Sequence, residues 1–106
     1  MKTAKEIKEK QKKGVKFDNG KPRWGLVPFK QFEEVVKILT FGSQKYSDDN
    51  WKYVDGAPER YFDAMLRHIT QWRMGEKVDS ESGMSHLAHA ICCGLFLMWF
   101  DTKEKA

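Results

Sequence analysis

A chain of 106 residues is one domain by size, and it buries only about two-thirds of its unfolded surface, so a thin core and self-association are expected. With 41% hydrophobic and 32% charged residues, the composition excludes a wholly disordered chain. The net charge of +4 resides in the first thirteen residues, where Lys2, Lys5, Lys8, Lys10, Lys12 and Lys13 face only Glu6 and Glu9; the rest is near neutral and lacks the basic stripe of a nucleic-acid-binding face.

Residues 1–13 therefore read as a solvated, disordered basic tail, residues 14–101 as a single domain, and residues 102–106 as a charged end. Residues 14–28 follow the tail as a loop, with Asn19-Gly20, Pro22 and Pro28 as turn signals. From Phe29 to about Gly42 the spacing of Phe32, Val35, Val36 and Leu39 predicts a helix, and Gly42 is its expected stop. Residues 43–56 hold too many turn formers for a long regular element.

A second helix is predicted from about Pro58 to Met74, with Tyr61, Ala64, Met65, His68, Ile69 and Trp72 on one stripe and Gly75 closing it. Asp79, Ser80 and Ser82 are capping candidates for a third helix, expected to start near Ser80, carry its stripe on Leu87, Ile91, Leu95, Met98 and Trp99, and end near Asp101. No alternating strand pattern competes. The expected fold is all-α, a small bundle of three main helices behind an irregular N-terminal loop, completed by oligomerisation.

Cys92 and Cys93 are adjacent within a helical run, so their side chains diverge and no ordinary structural disulfide is implied. The sequence shows no signal-peptide pattern and no membrane-length apolar stretch, and a cytoplasmic protein without a membrane partner is expected.

Three constellations carry chemistry. In the first, Lys16, Lys21 and Arg23 flank a glycine turn beside Trp24: arginine offers phosphate a two-pronged fork, lysine a point charge, and the indole a packing surface. By composition alone a solvated basic loop is the commoner explanation of these residues. In the second, Lys45-Tyr46 and Asn50-Trp51 combine a cation for phosphate, stacking surfaces and an amide able to read a base edge. Anchoring of a long connection onto the core is the competing role for Trp51.

The third runs from Arg67-His68 through Glu76, Asp79 and Glu81 to His86 and His89. Acidic groups beside imidazoles three residues apart on one helix are suited to a divalent cation. Zinc held by His86, His89 and Cys93 lacks an obvious fourth ligand and is disfavoured on that count. Glu33 and Glu34 are further carboxylates on the first helix that could face inward.

In chain order, Lys16-Phe17-Asp18-x-Gly20-Lys21-Pro22-Arg23-Trp24, Gly42-x-x-Lys45-Tyr46, Asn50-Trp51, Leu66-Arg67-His68, Gly75-Glu76, Asp79-x-Glu81-Ser82-Gly83 and His86-Leu87-Ala88-His89-Ala90 resemble the dATP/dGTP diphosphohydrolase family of bacteriophages. The resemblance spans residues 14–100, and that family is similar, more distantly, to MazG-like all-α nucleoside triphosphate pyrophosphatases. It implies cleavage of a purine deoxynucleoside triphosphate to monophosphate and pyrophosphate, Mg²⁺ or Mn²⁺ as cofactor, and a homo-oligomer, dimer or tetramer.

The wider superfamily carries Glu-x-x-Glu on one helix and Glu-x-x-Asp on a later one; residues 14–101 hold no Glu-x-x-Glu, and His86-x-x-His89 stands where acidic ligands would be expected. Local chemistry then nominates Glu81 and His86 as the first metal ligands, with Asp79, His89 and Glu34 behind them. Glu81, His86 and Arg67 are the catalytic candidates; Lys16, Lys21, Arg23, Trp24, Lys45, Tyr46, Asn50 and Trp51 are the substrate-binding candidates. The rival readings are a nucleotide-binding module without catalysis and a DNA-associated accessory protein using the lysine tail.

Overall fold

The computed structural model describes residues 13–104. Its helices are α1 (Phe29–Lys45), α2 (Ala57–Arg73) and α3 (His86–Glu104), with short 3₁₀ turns at Trp24–Leu26 and Asn50–Tyr53. Among the described residues the one extended pairing is an isolated antiparallel bridge between Val78 and Ser85. The fold is an all-α helical bundle. The lysine-rich tail lies, apart from Lys13, outside the described residues.

The central element is α3, which packs against both α2 and α1. It runs antiparallel to α2: His68 meets His86 and His89 near the connecting loop, Met65 lies beside Gly94, and Tyr61 meets Phe96 and Phe100 further along. On its other side Ala88 and Cys92 form a core with Val35 and Ile38 of α1, with Leu39, Leu95 and Phe96 packed around it.

Three sequence expectations need correction. Gly42 does not end α1, which continues to Lys45, where the Tyr46 N–H donates to the Gly42 carbonyl at 3.0 Å. A helical glycine costs only about 1 kcal/mol relative to alanine, so the helix tolerates it. No atom lies within 4 Å of where its Cβ would be, and the glycine leaves one wall of a cleft open.

The third helix does not start near Ser80. Asp79 instead accepts the Ser82 N–H at 2.9 Å, Gly83 takes a positive φ of 72°, and Val78 bridges Ser85, which folds residues 79–85 into a tight loop. Ser85 is the cap of α3: its Oγ accepts the Ala88 N–H at 3.2 Å. At its other end α3 passes Asp101 and reaches Glu104.

The apolar stripes also differ from the predicted ones. On α3 the residues turned inward include Ala88, Ala90, Cys92 and Cys93, whereas Leu87, Ile91 and Met98 face solvent; on α1, Val35 and Ile38 are buried while Phe32 and Val36 are exposed. On α2, Ile69 and Trp72 are only partly covered. A helix apolar on every side has no periodicity that identifies its inner face, and here the inner face is the one whose small side chains admit two neighbouring helices.

Both cysteines are free and buried, and burial pushes the thiols up to about 12 for Cys92 and about 11 for Cys93. They behave as small hydrophobes, and they form no disulfide, as their adjacency implied.

Candidate active site

The end of α2 creates the site. Gly75, at φ 106°, reverses the chain, with its N–H on the Trp72 carbonyl and the Glu76 N–H on that of Gln71, both at 3.0 Å. This glycine-based helix ending places Glu76 beside the first residue of α3. There Glu76 Oε1 accepts from His86 Nε2 at 2.8 Å, and His86 is 2% exposed. A carboxylate can only accept, so this contact puts a hydrogen on His86 Nε2. His86 Nδ1 faces His68 Nδ1 at 2.8 Å.

His89, one turn along α3, stacks on His68 with ring centroids 4.4 Å apart and 6° between planes. Its Nε2 lies 2.7 Å from Ser82 Oγ and 4.0 Å from Asp79 Oδ2. Burial, with the neighbouring His89 and His86 adding to it, lowers His68 from 6.5 to about 4, so its ring is neutral at pH 7. Burial also lowers His89, although Asp79 pulls the other way. Burial raises the carboxyl of Asp79, but the Ser82 hydrogen bonds and the two histidines outweigh it and hold the group below its ordinary value.

These groups line one open cleft of about 1290 Å³ between the end of α1, the Asn50–Tyr53 turn, α2 and the loop before α3. The cleft gathers Lys45, Tyr46, Asn50, Trp51, Arg67, Asp79, Glu81, His86 and His89 from the sequence candidates. Lys45 Nζ sits 3.4 Å from Glu81 Oε1 and 5.2 Å from the centre of the Tyr46 ring, so it joins the end of α1 to the acidic loop. Trp51 stacks on Phe96 at 4.2 Å and meets Trp99 and Phe100 edge-on, while its carbonyl accepts from the Tyr61 hydroxyl at 3.2 Å. Its ring is therefore an anchor of the core.

Other candidates are not brought to the cleft. Lys16, Lys21, Arg23 and Trp24 lie on the exposed N-terminal loop and do not line it; Trp24 is 76% exposed. Glu34 pairs with Lys37 at 3.1 Å along α1, outside the cleft. Glu33 is exposed as well.

Conversely, three cleft residues carry more than their sequence context signals. His68 lies on the predicted stripe of α2, where a core role is the simpler expectation, and neither Glu76 nor Ser82 has a partner that the sequence reveals. His68, Asp79 and His86 are the described residues whose donor atoms converge as a possible metal site, all within 4.8 Å of one another. No residue spacing signals that convergence, because it depends on where the Gly75 turn sends the chain.

Comparison with known proteins decides the family. The profile described as dATP/dGTP diphosphohydrolase, N-terminal, matches residues 11–106. The chain belongs to this family. A protein of Salmonella phage PMBT28 named dATP/dGTP diphosphohydrolase is 37% identical over 86 residues, which make up 81% of this chain and 29% of the relative. The chain thus spans less than a third of that relative's length. No solved structure matches. No helix among the described residues of this family member is long and apolar enough to cross a membrane.

Proposed function

We propose that this domain hydrolyses a purine deoxynucleoside triphosphate, dATP or dGTP, to the monophosphate and pyrophosphate. The observation that carries the reading is the convergence of Lys45, Arg67 and the acid-histidine loop on one cleft, in a chain of the dATP/dGTP diphosphohydrolase N-terminal family. The triphosphate lies between Lys45 on the α1 side and Arg67 on α2, whose charges balance its anionic oxygens. Tyr46, exposed at the end of α1, offers the purine a stacking surface; Trp51 already has Phe96 against its ring. Asn50, between them, presents an amide to the base edge.

A water attacks the α-phosphorus in line with the bridging oxygen. The new P–O bond forms as the α–β anhydride bond breaks, the Glu81 carboxylate takes the water proton, and pyrophosphate leaves against Lys45 and Arg67. His86, buried and tied to Glu76 and His68, holds the cluster's geometry rather than meeting the nucleotide freely.

Mg²⁺ and Mn²⁺ favour carboxylate, carbonyl and water oxygens. The converging donors of His68, Asp79 and His86 are two imidazoles and one carboxylate, a set poor for Mg²⁺, which keeps to oxygen donors, and better for an ion that also accepts imidazole; the proposed hydrolysis is written without an ion.

The homo-oligomer expected from the thin core is supported by an apolar back to the α2–α3 pair: Phe62, Leu66 and Ile69 on one helix, Leu87, Ile91 and Met98 on the other, all exposed. Such a surface is what an association face requires.

The activity is tested by incubating the chain with single deoxynucleotides and a panel of divalent ions and identifying products by ³¹P NMR. Monophosphate and pyrophosphate from dATP or dGTP are expected. Orthophosphate release, or no turnover of either purine nucleotide, would overturn the reading.

A further inference from the structure

The donors that converge in the cleft are contributed by three separate pieces of chain: His68 by α2, Asp79 by the loop, and His86 by the first residue of α3. Each is held by a contact outside the trio. His86 donates to Glu76 at 2.8 Å, Asp79 accepts the Ser82 N–H at 2.9 Å, and the His68 ring is stacked on His89. Imidazoles fixed by a carboxylate on the far nitrogen are the usual support of a metal-binding histidine, since the support sets the tautomer and aims the other nitrogen.

With its hydrogen on Nε2, His86 turns the Nδ1 lone pair toward His68 Nδ1 at 2.8 Å, where either a hydrogen on His68 Nδ1 or a bound cation satisfies it. With a carboxylate oxygen within 4.8 Å of both, a cation has a third donor ready. Two imidazoles and a carboxylate suit borderline first-row ions, and three protein ligands leave coordination positions for water or a phosphate oxygen, the composition of catalytic zinc sites. The trio lines the cleft proposed to hold the triphosphate. It differs from the His86, His89 and Cys93 set along one helix: Cys93 is not among the converging donors, and His89 Nε2 is engaged by Ser82.

We propose that His68, Asp79 and His86 form a mononuclear site for a zinc-class divalent ion, selective against Mg²⁺. Binding of the ion rests on the geometry alone; its use in catalysis rests on the hydrolase reading above.

The test uses the untagged 106-residue chain, freed of metal by chelation and titrated calorimetrically with ZnCl₂, CoCl₂ and MgCl₂ without nucleotide. One Zn²⁺ or Co²⁺ per chain is expected, undisturbed by millimolar Mg²⁺, with a visible cobalt spectrum lacking a thiolate charge-transfer band. His68→Ala and the near-isosteric Asp79→Asn should each weaken Zn²⁺ binding at least about 100-fold, and Glu76→Gln about 10-fold, with helical circular dichroism retained in Asp79→Asn. Zn²⁺ binding unchanged in both ligand variants, binding abolished by Cys93→Ser, or no Zn²⁺ binding at micromolar concentration would overturn the site. Zn²⁺ binding without nucleotide turnover would uphold the site and sink the hydrolase reading; Mg²⁺-supported turnover without Zn²⁺ binding would do the reverse.

Discussion

His68 and His86 meet Nδ1 to Nδ1 at 2.8 Å across the α2–α3 interface, with His86 almost fully buried. The contact ties the end of one helix to the start of the next at the floor of the cleft. Folding stability and the proposed chemistry consequently share the same side chains.

The first consequence concerns pH. A histidine whose native value is lowered to about 4 from an ordinary 6.5 takes up its proton in the unfolded chain first. Above about pH 6.5 neither state is protonated at His68 and the group imposes no penalty. Between 6.5 and 4 the unfolded state binds more protons, so stability falls as pH falls through that window; His89 adds in the same direction. Urea unfolding midpoints should drop from about pH 7.5 to about pH 5, and His68→Gln should flatten the slope. A midpoint that rises on acidification would contradict the neutral ring.

Arg67 lines the cleft on an exposed face of α2 and serves the fold little. Arg67→Ala should therefore leave the thermal midpoint within about 2 °C, consistent with a surface substitution, while lowering kcat about 100-fold, the loss typical of one transition-state donor. Arg67→Lys should recover only part, because an ammonium lacks the planar fork. Paired melting curves and steady-state kinetics check both halves.

Val35 is the largest fully buried side chain among the described residues, 1% exposed where α1 meets α3. Val35→Ala removes two methyl groups from a core with few other large side chains and should cost about 2 kcal/mol, or roughly 10 °C in Tm for a domain of this size. Phe32→Ala, on the exposed side of the same helix, should cost much less. Equal losses would mean that α1 packs on its other face.

Ile91 stands in the middle of the apolar back of α3. Ile91→Glu should shift the molecular mass measured by light scattering toward the monomer without loss of helical signal, since the position is exposed in a single copy but a charge is costly in an apolar interface. An unchanged mass would place any association surface elsewhere.

The existence of three helices and the bounds of α2 were legible in the sequence because they depend on local causes: apolar residues at helical spacing, Pro58 at the first turn, and Gly75 free to take a positive φ. The same locality made Lys45, Tyr46, Asn50 and the Asp79–His89 segment recognisable as an ordered set. Tertiary structure decided what local rules leave open. It turned Ala88 and Cys92 inward and Leu87 and Ile91 outward on a helix apolar all round, because only the small residues let α1 and α2 approach together. It left the Lys16–Trp24 loop outside the cleft, and it joined His68 to Asp79 and His86 through a reversal of chain direction that no residue spacing records.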